Sequence, residues 1–289
     1  MKTQRITRQL TIASLAGMLI LLPIPLSATT FYVTPAGAGL ADASSWANAA
    51  PGTDLQLLID NASAGDSIWV ACGTYYTTTG TDRSVSFHMR DSVTILGSFT
   101  GTESQFSERV LGCGPCSVLS GDIGTPGVAF DNAYKIIVNI GLDPSAIIDG
   151  FRITHAYDDR QVSSIEIGLG GGVYNGGAGT GGEGGSCSPM FRNLVIDSNY
   201  ATYGGGMFNN GHAGGNSAPV LINCVLAFNH ATIGGGGMDS YGWNNGYVAP
   251  EMYNCVFYAN TSGSRAGAMY CWGGQNGNCS PVINSCAFI

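Results

Sequence analysis

The side chains of this chain that could do chemistry are a few carboxylates, cysteines, histidines and aromatic rings. Asp158-Asp159-Arg160, with His155 close before it, is the one compact acid–base cluster. Paired carboxylates flanking a glycosidic bond are what glycoside hydrolysis uses, one as acid and the other as base or nucleophile. Adjacent residues of a strand point to opposite faces, however, which would keep these two carboxylates apart. Asp158 and Asp159 therefore stand as weak catalytic candidates, and the plainer expectation is a solvated loop.

Cys113-Gly114-Pro115-Cys116 copies the sequence of thiol–disulfide exchange sites, where a helix amino terminus inside a strand–helix–strand unit lowers the thiol pKa. No such unit surrounds it here, so a local disulfide or a loop turn is expected instead. A second Cys or His pair at zinc-finger spacing is missing as well. His212 and His230 fall in turn regions and read as polar loop residues rather than ligands. No metal and no cofactor is expected. Trp243 and Trp272 recur 29 residues apart, and with Tyr241, Tyr247 and Tyr270 they fit equally an exposed aromatic strip for glycans and packing in the core or between loops. A flat face of threonines for ice or mineral is not supported, because Thr77 to Thr79 do not recur.

The elements that must carry these residues follow from composition and period. Lys2, Arg5 and Arg8 precede an apolar run from Leu10 to Leu22, which predicts an export signal over residues 1–28, cut after Ala28. The run is interrupted by Thr11, Ser14 and Gly17 and is short for a bilayer span of about 20 residues. Removing it leaves eight basic residues against 19 acidic ones, a net charge of −11. Phosphate binding needs clustered Lys and Arg, so a nucleic-acid partner is excluded. With 44% hydrophobic residues the chain can build a core, so its 44 glycines do not mean disorder, and they lack the three-residue period of collagen. Nine cysteines in an exported chain permit disulfides, but the odd number leaves at least one thiol unpaired.

An internal period decides the architecture. Pro189, Pro219, Pro250 and Pro281 are spaced 30, 31 and 31 residues apart, and Leu194, Cys224, Cys255 and Cys286 follow each by five. Asn199, Asn229 and Asn260 recur at the same interval, as do Met207, Met238 and Met269, each just after a small-residue cluster. A weaker copy begins near Ala146 and rejoins the pattern at Gly170-Gly171-Gly172. Each repeat holds short apolar or β-branched segments separated by Asn and Gly, with no helical periodicity. The expected fold is all-β: a right-handed parallel β-helix, pectin-lyase-like, with neighbouring coils about 4.8 Å apart. Its cysteine column is expected to be buried and reduced, and its asparagines to join their amides at corners that tolerate left-handed backbone. Residues 29–118 read as an amino-terminal cap with irregular first coils, and 119–289 as the regular coils. Thr53-Asp54-Leu55-Gln56 matches a helix capping box, predicting a short helix whose Leu55, Leu57, Leu58 and Ile59 cover the open end.

These residues resemble the bacterial β-helix surface proteins with polymorphic outer membrane protein repeats. The resemblance rests on Ser44-Ser45-Trp46, Ala64-Gly65-Asp66-Ser67, Gly73-Thr74-Tyr75, Leu119-Ser120-Gly121-Asp122, Ile148-Asp149-Gly150-Phe151, the triple glycines, and Phe257-Tyr258-Ala259-Asn260. It implies a secreted or outer-membrane-associated passenger outside the cell, non-enzymatic, acting in adhesion or in binding a glycan or cell-surface partner. Contact with the membrane would come through a carboxy-terminal anchor beyond Ile289, where the sequence stops inside a repeat. The alternative is a polysaccharide lyase or glycoside hydrolase on the same fold. Against it, the Gly-His-Gly and Arg-Ile-Lys motifs of polygalacturonase-like β-helices are absent.

Overall fold

The computed structural model describes residues 28–112, 114–160, 168–177 and 185–289. The expected export signal, apart from Ala28, and Cys113 lie outside the described residues. The described chain is mostly β, with sheets of nine, seven, five, four and three strands. Every pairing between these strands is parallel. Parallel neighbours cannot be joined by a tight hairpin, so the chain must travel through other sheets before it returns beside its previous strand. Met190–Arg192, Val195–Asp197, Tyr200–Ala201, Met207–Asn210 and Asn216–Ser217 enter the five sheets in turn. Val220–Ile222, Val225–Ala227, His230–Ala231, Met238–Trp243 and Tyr247–Val248 then enter them in the same order.

The sequence period is the register of these sheets. Phe191, Leu221 and Met252 are direct partners, as are Ile196, Leu226 and Phe257, and Met207, Met238 and Met269. All but Met269 are fully buried in one continuous core, so a one-residue slip would turn each column outward. Leu194, Cys224 and Cys255 are buried in the same core, Cys286 is half-buried at the last repeat, and all three cysteines are free thiols. Burial pushes the Cys224 thiol well above its ordinary pKa, as expected of an inert core sulfur.

The asparagines divide the work that the sequence assigned to one set. Asn193, Asn223 and Asn254 hold the left-handed backbone between strands, at φ of 51°, 56° and 54°. Asn199, Asn229 and Asn260 instead follow left-handed residues, Ser198, Phe228 and Ala259, and carry the ladder. Asn199 Nδ2 donates to Asn229 Oδ1 at 3.1 Å and Asn229 Nδ2 to Asn260 Oδ1 at 3.0 Å. Each Oδ1 also accepts the backbone N–H of the Asn before it. A second buried ladder, unforeseen in the sequence, runs from Asn139 through Asn175 and Asn209 to Ser240.

The helix forms at Leu55–Asn61, but not through a capping box. Gln56 turns outward to Asp60 and the backbone of His88, and no side chain caps the first turn. Leu55 and Ile59, one turn apart, enter the core, whereas Leu57 is exposed. Cys116 does not close a local disulfide with Cys113: it is bridged to Cys72, which joins two early repeats across 44 residues.

Candidate functional site

Asp158 is not in a solvated loop. Its carboxylate is fully buried, and both oxygens are taken. Oδ1 accepts Arg160 Nε at 2.8 Å, while Oδ2 accepts Arg160 Nη2 at 2.7 Å, Lys135 Nζ at 2.8 Å and the Gly168 N–H at 3.2 Å. Burial by itself would raise its pKa, but the Arg160 and Lys135 bonds outweigh it and hold the carboxyl below the usual range. Asp159 points elsewhere, to Arg83 at 2.9 Å, and Arg83 is in turn fixed by the carbonyls of Asn132 and Tyr157. Neither carboxylate has a free oxygen beside a second free carboxylate, as a hydrolytic pair needs. His155 is exposed in a left-handed turn, and His230 stacks on Tyr200 and bonds Thr261. Among the described residues no group of His, Cys, Asp and Glu is arranged to hold a metal ion.

The aromatic residues are a different case. In the five-stranded sheet, side chains alternate. Val173, Met207, Met238 and Met269 form one inward column, and Asn175, Asn209, Ser240 and Cys271 form the next. The outward columns are Tyr174, Phe208, Asp239 and Tyr270, then Gly176, Asn210, Tyr241 and Trp272. At its early end this outer face is covered: Tyr174 and Phe208 stack at 6.1 Å and are buried with Leu169. From Tyr241 onward it opens. Tyr241, Trp243, Tyr270 and Trp272 are half-buried, with ring centroids 4.8 Å apart for the Trp pair and 5.0 Å for Tyr241–Trp272. The Trp pair and Tyr241–Trp272 are tilted, at 39° and 58°, while Tyr241 and Trp243 stack at 6.3 Å and 20°. The Cys271–Cys279 disulfide ties the Trp272 strand to the neighbouring sheet. Tyr247 does not join the group; it is exposed on the four-stranded sheet between Asn216 and Asn278.

Comparison with known protein families, with curated proteins and with solved structures returned no match. The assignment of function therefore rests on these side chains.

Within the same outer face lies a residue that sequence reasoning missed. Asp239 is buried between Phe208 and Tyr270, and burial pushes its pKa up to about 7, against the pull of the Gly235 N–H and Arg265. Its Oδ2 accepts the Gly235 N–H at 3.0 Å, and Oδ1 has no hydrogen-bond partner. Gly234 makes room for it, since a Cβ there would collide with this carboxylate and with the Tyr203 ring. The sequence carried the signal: the residue after each repeated Met is Phe208, Asp239 and Tyr270, and an acid interrupts an aromatic column.

Proposed function

We propose that this chain is a secreted or outer-membrane-associated passenger that binds a glycan through its outer aromatic face without cleaving it. In this reading the stacked parallel sheets are a right-handed parallel β-helix of the polymorphic outer membrane protein repeat kind. Residues 1–28 are its signal peptide, 29–118 its cap and first coils, with the Leu55–Asn61 helix over the open end, and 119–289 its regular coils.

The observation that carries the proposal is the open group of Tyr241, Trp243, Tyr270 and Trp272. Sugar rings present C–H faces that pack on aromatic rings, and a rigid platform of tilted rings loses little side-chain entropy on binding. Catalysis would need acid, base and charge-stabilising groups converging on one cleft, whereas Asp158 and Asp159 are each locked into ion pairs. Affinity electrophoresis of the mature chain through gels containing different polysaccharides should show retardation. The Trp243→Ala/Trp272→Ala variant should lose about tenfold or more in affinity, the usual weight of an aromatic anchor. Release of unsaturated or reducing ends from any polymer would overturn the non-enzymatic reading.

A further inference from the structure

The arginines and lysine of the described chain are almost all spoken for. Arg83 is paired to Asp159, Arg109 and Arg192 to Asp149, Arg152 to Asp197, and Lys135 and Arg160 to Asp158. Arg90 is bound to the carbonyl of Asp60. Arg265 differs. It is exposed, no carboxylate of the described residues lies within ion-pair distance, and its guanidinium sits over aromatic rings, 4.6 Å from the Tyr270 centroid and 5.4 Å from that of Tyr203.

Its position is what gives this meaning. Tyr270 and Trp272 are two residues apart on one strand and face the same way, so the guanidinium borders the open aromatic group. Contact with two rings holds the guanidinium beside them, and its planar fork of N–H groups is what lets Arg recognise planar anions. Arg265 acts electrostatically on the buried Asp239, whose pKa burial nevertheless pushes up to about 7, so that at neutral pH it is not a full counter-charge. A chain with net charge −11 after removal of its first 28 residues thus presents, beside its aromatic platform, a cation with no carboxylate partner among the described residues.

Building on the glycan-binding reading above, we infer that Arg265 forms an anionic subsite of this face, so that the ligand is an acidic glycan carrying a carboxylate or sulfate group next to a sugar that stacks on Trp272 and Trp243. The guanidinium supplies two parallel N–H donors to the acid group, and the rings supply the apolar contact. Specificity for the acidic sugar comes from Arg265, and general affinity for sugars from the tryptophans.

Three polymers separate the parts: polygalacturonate carries carboxylates, dextran sulfate carries sulfates, and dextran carries neither. By affinity electrophoresis of the mature chain at low and moderate salt, one or both anionic polymers should bind at least tenfold more tightly than dextran. Arg265→Gln should remove that preference while leaving dextran retardation unchanged. Arg265→Lys, which keeps the charge but loses the planar fork, should retain only part of it. Near-ultraviolet circular dichroism of each variant reports whether the Trp environment is intact, and Arg90→Gln, which removes the same charge at the Asp60 carbonyl rather than at the aromatic face, should behave as wild type. Equal binding of all three polymers, or an anionic preference that survives Arg265→Gln, would overturn the subsite while leaving the aromatic face standing. Absence of binding to every polymer would overturn the aromatic face as well.

Discussion

Two buried aspartates on this molecule were given opposite surroundings. Asp158 lies at a turn where Lys135 and Arg160 converge on it, and its pKa is held down. Asp239 lies on the outer face of a sheet with one backbone N–H as its hydrogen-bond donor, and burial pushes its pKa up to about 7. Both side chains are essentially inaccessible to water. Burial alone therefore does not say what a carboxylate is for: the first is a fully bonded ion that fastens loops together, and the second is a destabilised group whose protonation is open to change.

The largest effect should come from breaking the satisfied site. Asp158→Asn removes the anion that meets two cations, one of them the buried Lys135. Losing one partner of a buried pair typically costs about 3–5 kcal/mol, whereas replacing the whole pair by apolar groups is often near neutral. Urea unfolding should show this loss in Asp158→Asn and recovery of much of it in Asp158→Leu/Lys135→Met. A single variant as stable as wild type would mean that the ion cluster is ornamental.

Asp239 should behave in the opposite sense. Its folded pKa is raised from 3.8 to about 7, so between those values the folded state holds a proton that the unfolded state has lost. Stability on its account is full below pH 3.8 and falls as pH rises to about 7. For Asp158, with its lowered folded pKa, stability is present above pH 3.8 and lost as pH falls below it. Asp239→Asn keeps an acceptor for the Gly235 N–H and removes the buried charge. It should stabilise the protein by about 2–4 kcal/mol near pH 8 and change little near pH 4. Thermal midpoints across this range check it, and identical pH profiles for variant and wild type would show that Asp239 stays ionised in the fold.

How these sites could be read in the sequence differs for a physical reason. Columns made by the period, such as Leu194-Cys224-Cys255 and Asn199-Asn229-Asn260, were legible because parallel stacking converts a spacing of about thirty residues directly into contact. Asp158 was noticed as chemistry and misplaced as solvated, because its partner Lys135 comes from a different repeat and adjacent residues say nothing of that. The Cys72–Cys116 bridge was missed for the same reason: Cys116 stood next to Cys113 in sequence, but the early, irregular repeats carry no period that aligns it with Cys72. Asp239 could have been found by writing the repeats under one another. Which rings stay open could not, since Tyr174 and Phe208 share a column with Tyr270 and are buried with Leu169, a position that pairs with Tyr203 in the next repeat and carries no second leucine there.

The asparagine ladder supplies a neutral control for the two aspartates. Asn229 is fully buried and fully used: its Nδ2 donates to Ile196 O at 2.8 Å and to Asn260 Oδ1 at 3.0 Å, and its Oδ1 accepts from Asn199. Like Asp158 it is satisfied, but it carries no charge, so its loss should cost less. Asn229→Leu keeps the branching at Cγ and leaves the Asn199 N–H and the Ile196 carbonyl without their partner in a site that water does not reach, a penalty of about 1–3 kcal/mol. The effect should be independent of pH from about 4 to 8, because no titrating group is altered. That flat profile separates it from both aspartate variants. Urea midpoints at the two ends of this range test it. No shift at either end would show that the ladder contributes no more than the water it replaces, and a shift that grew with pH would tie the ladder to Asp239 rather than to its own hydrogen bonds.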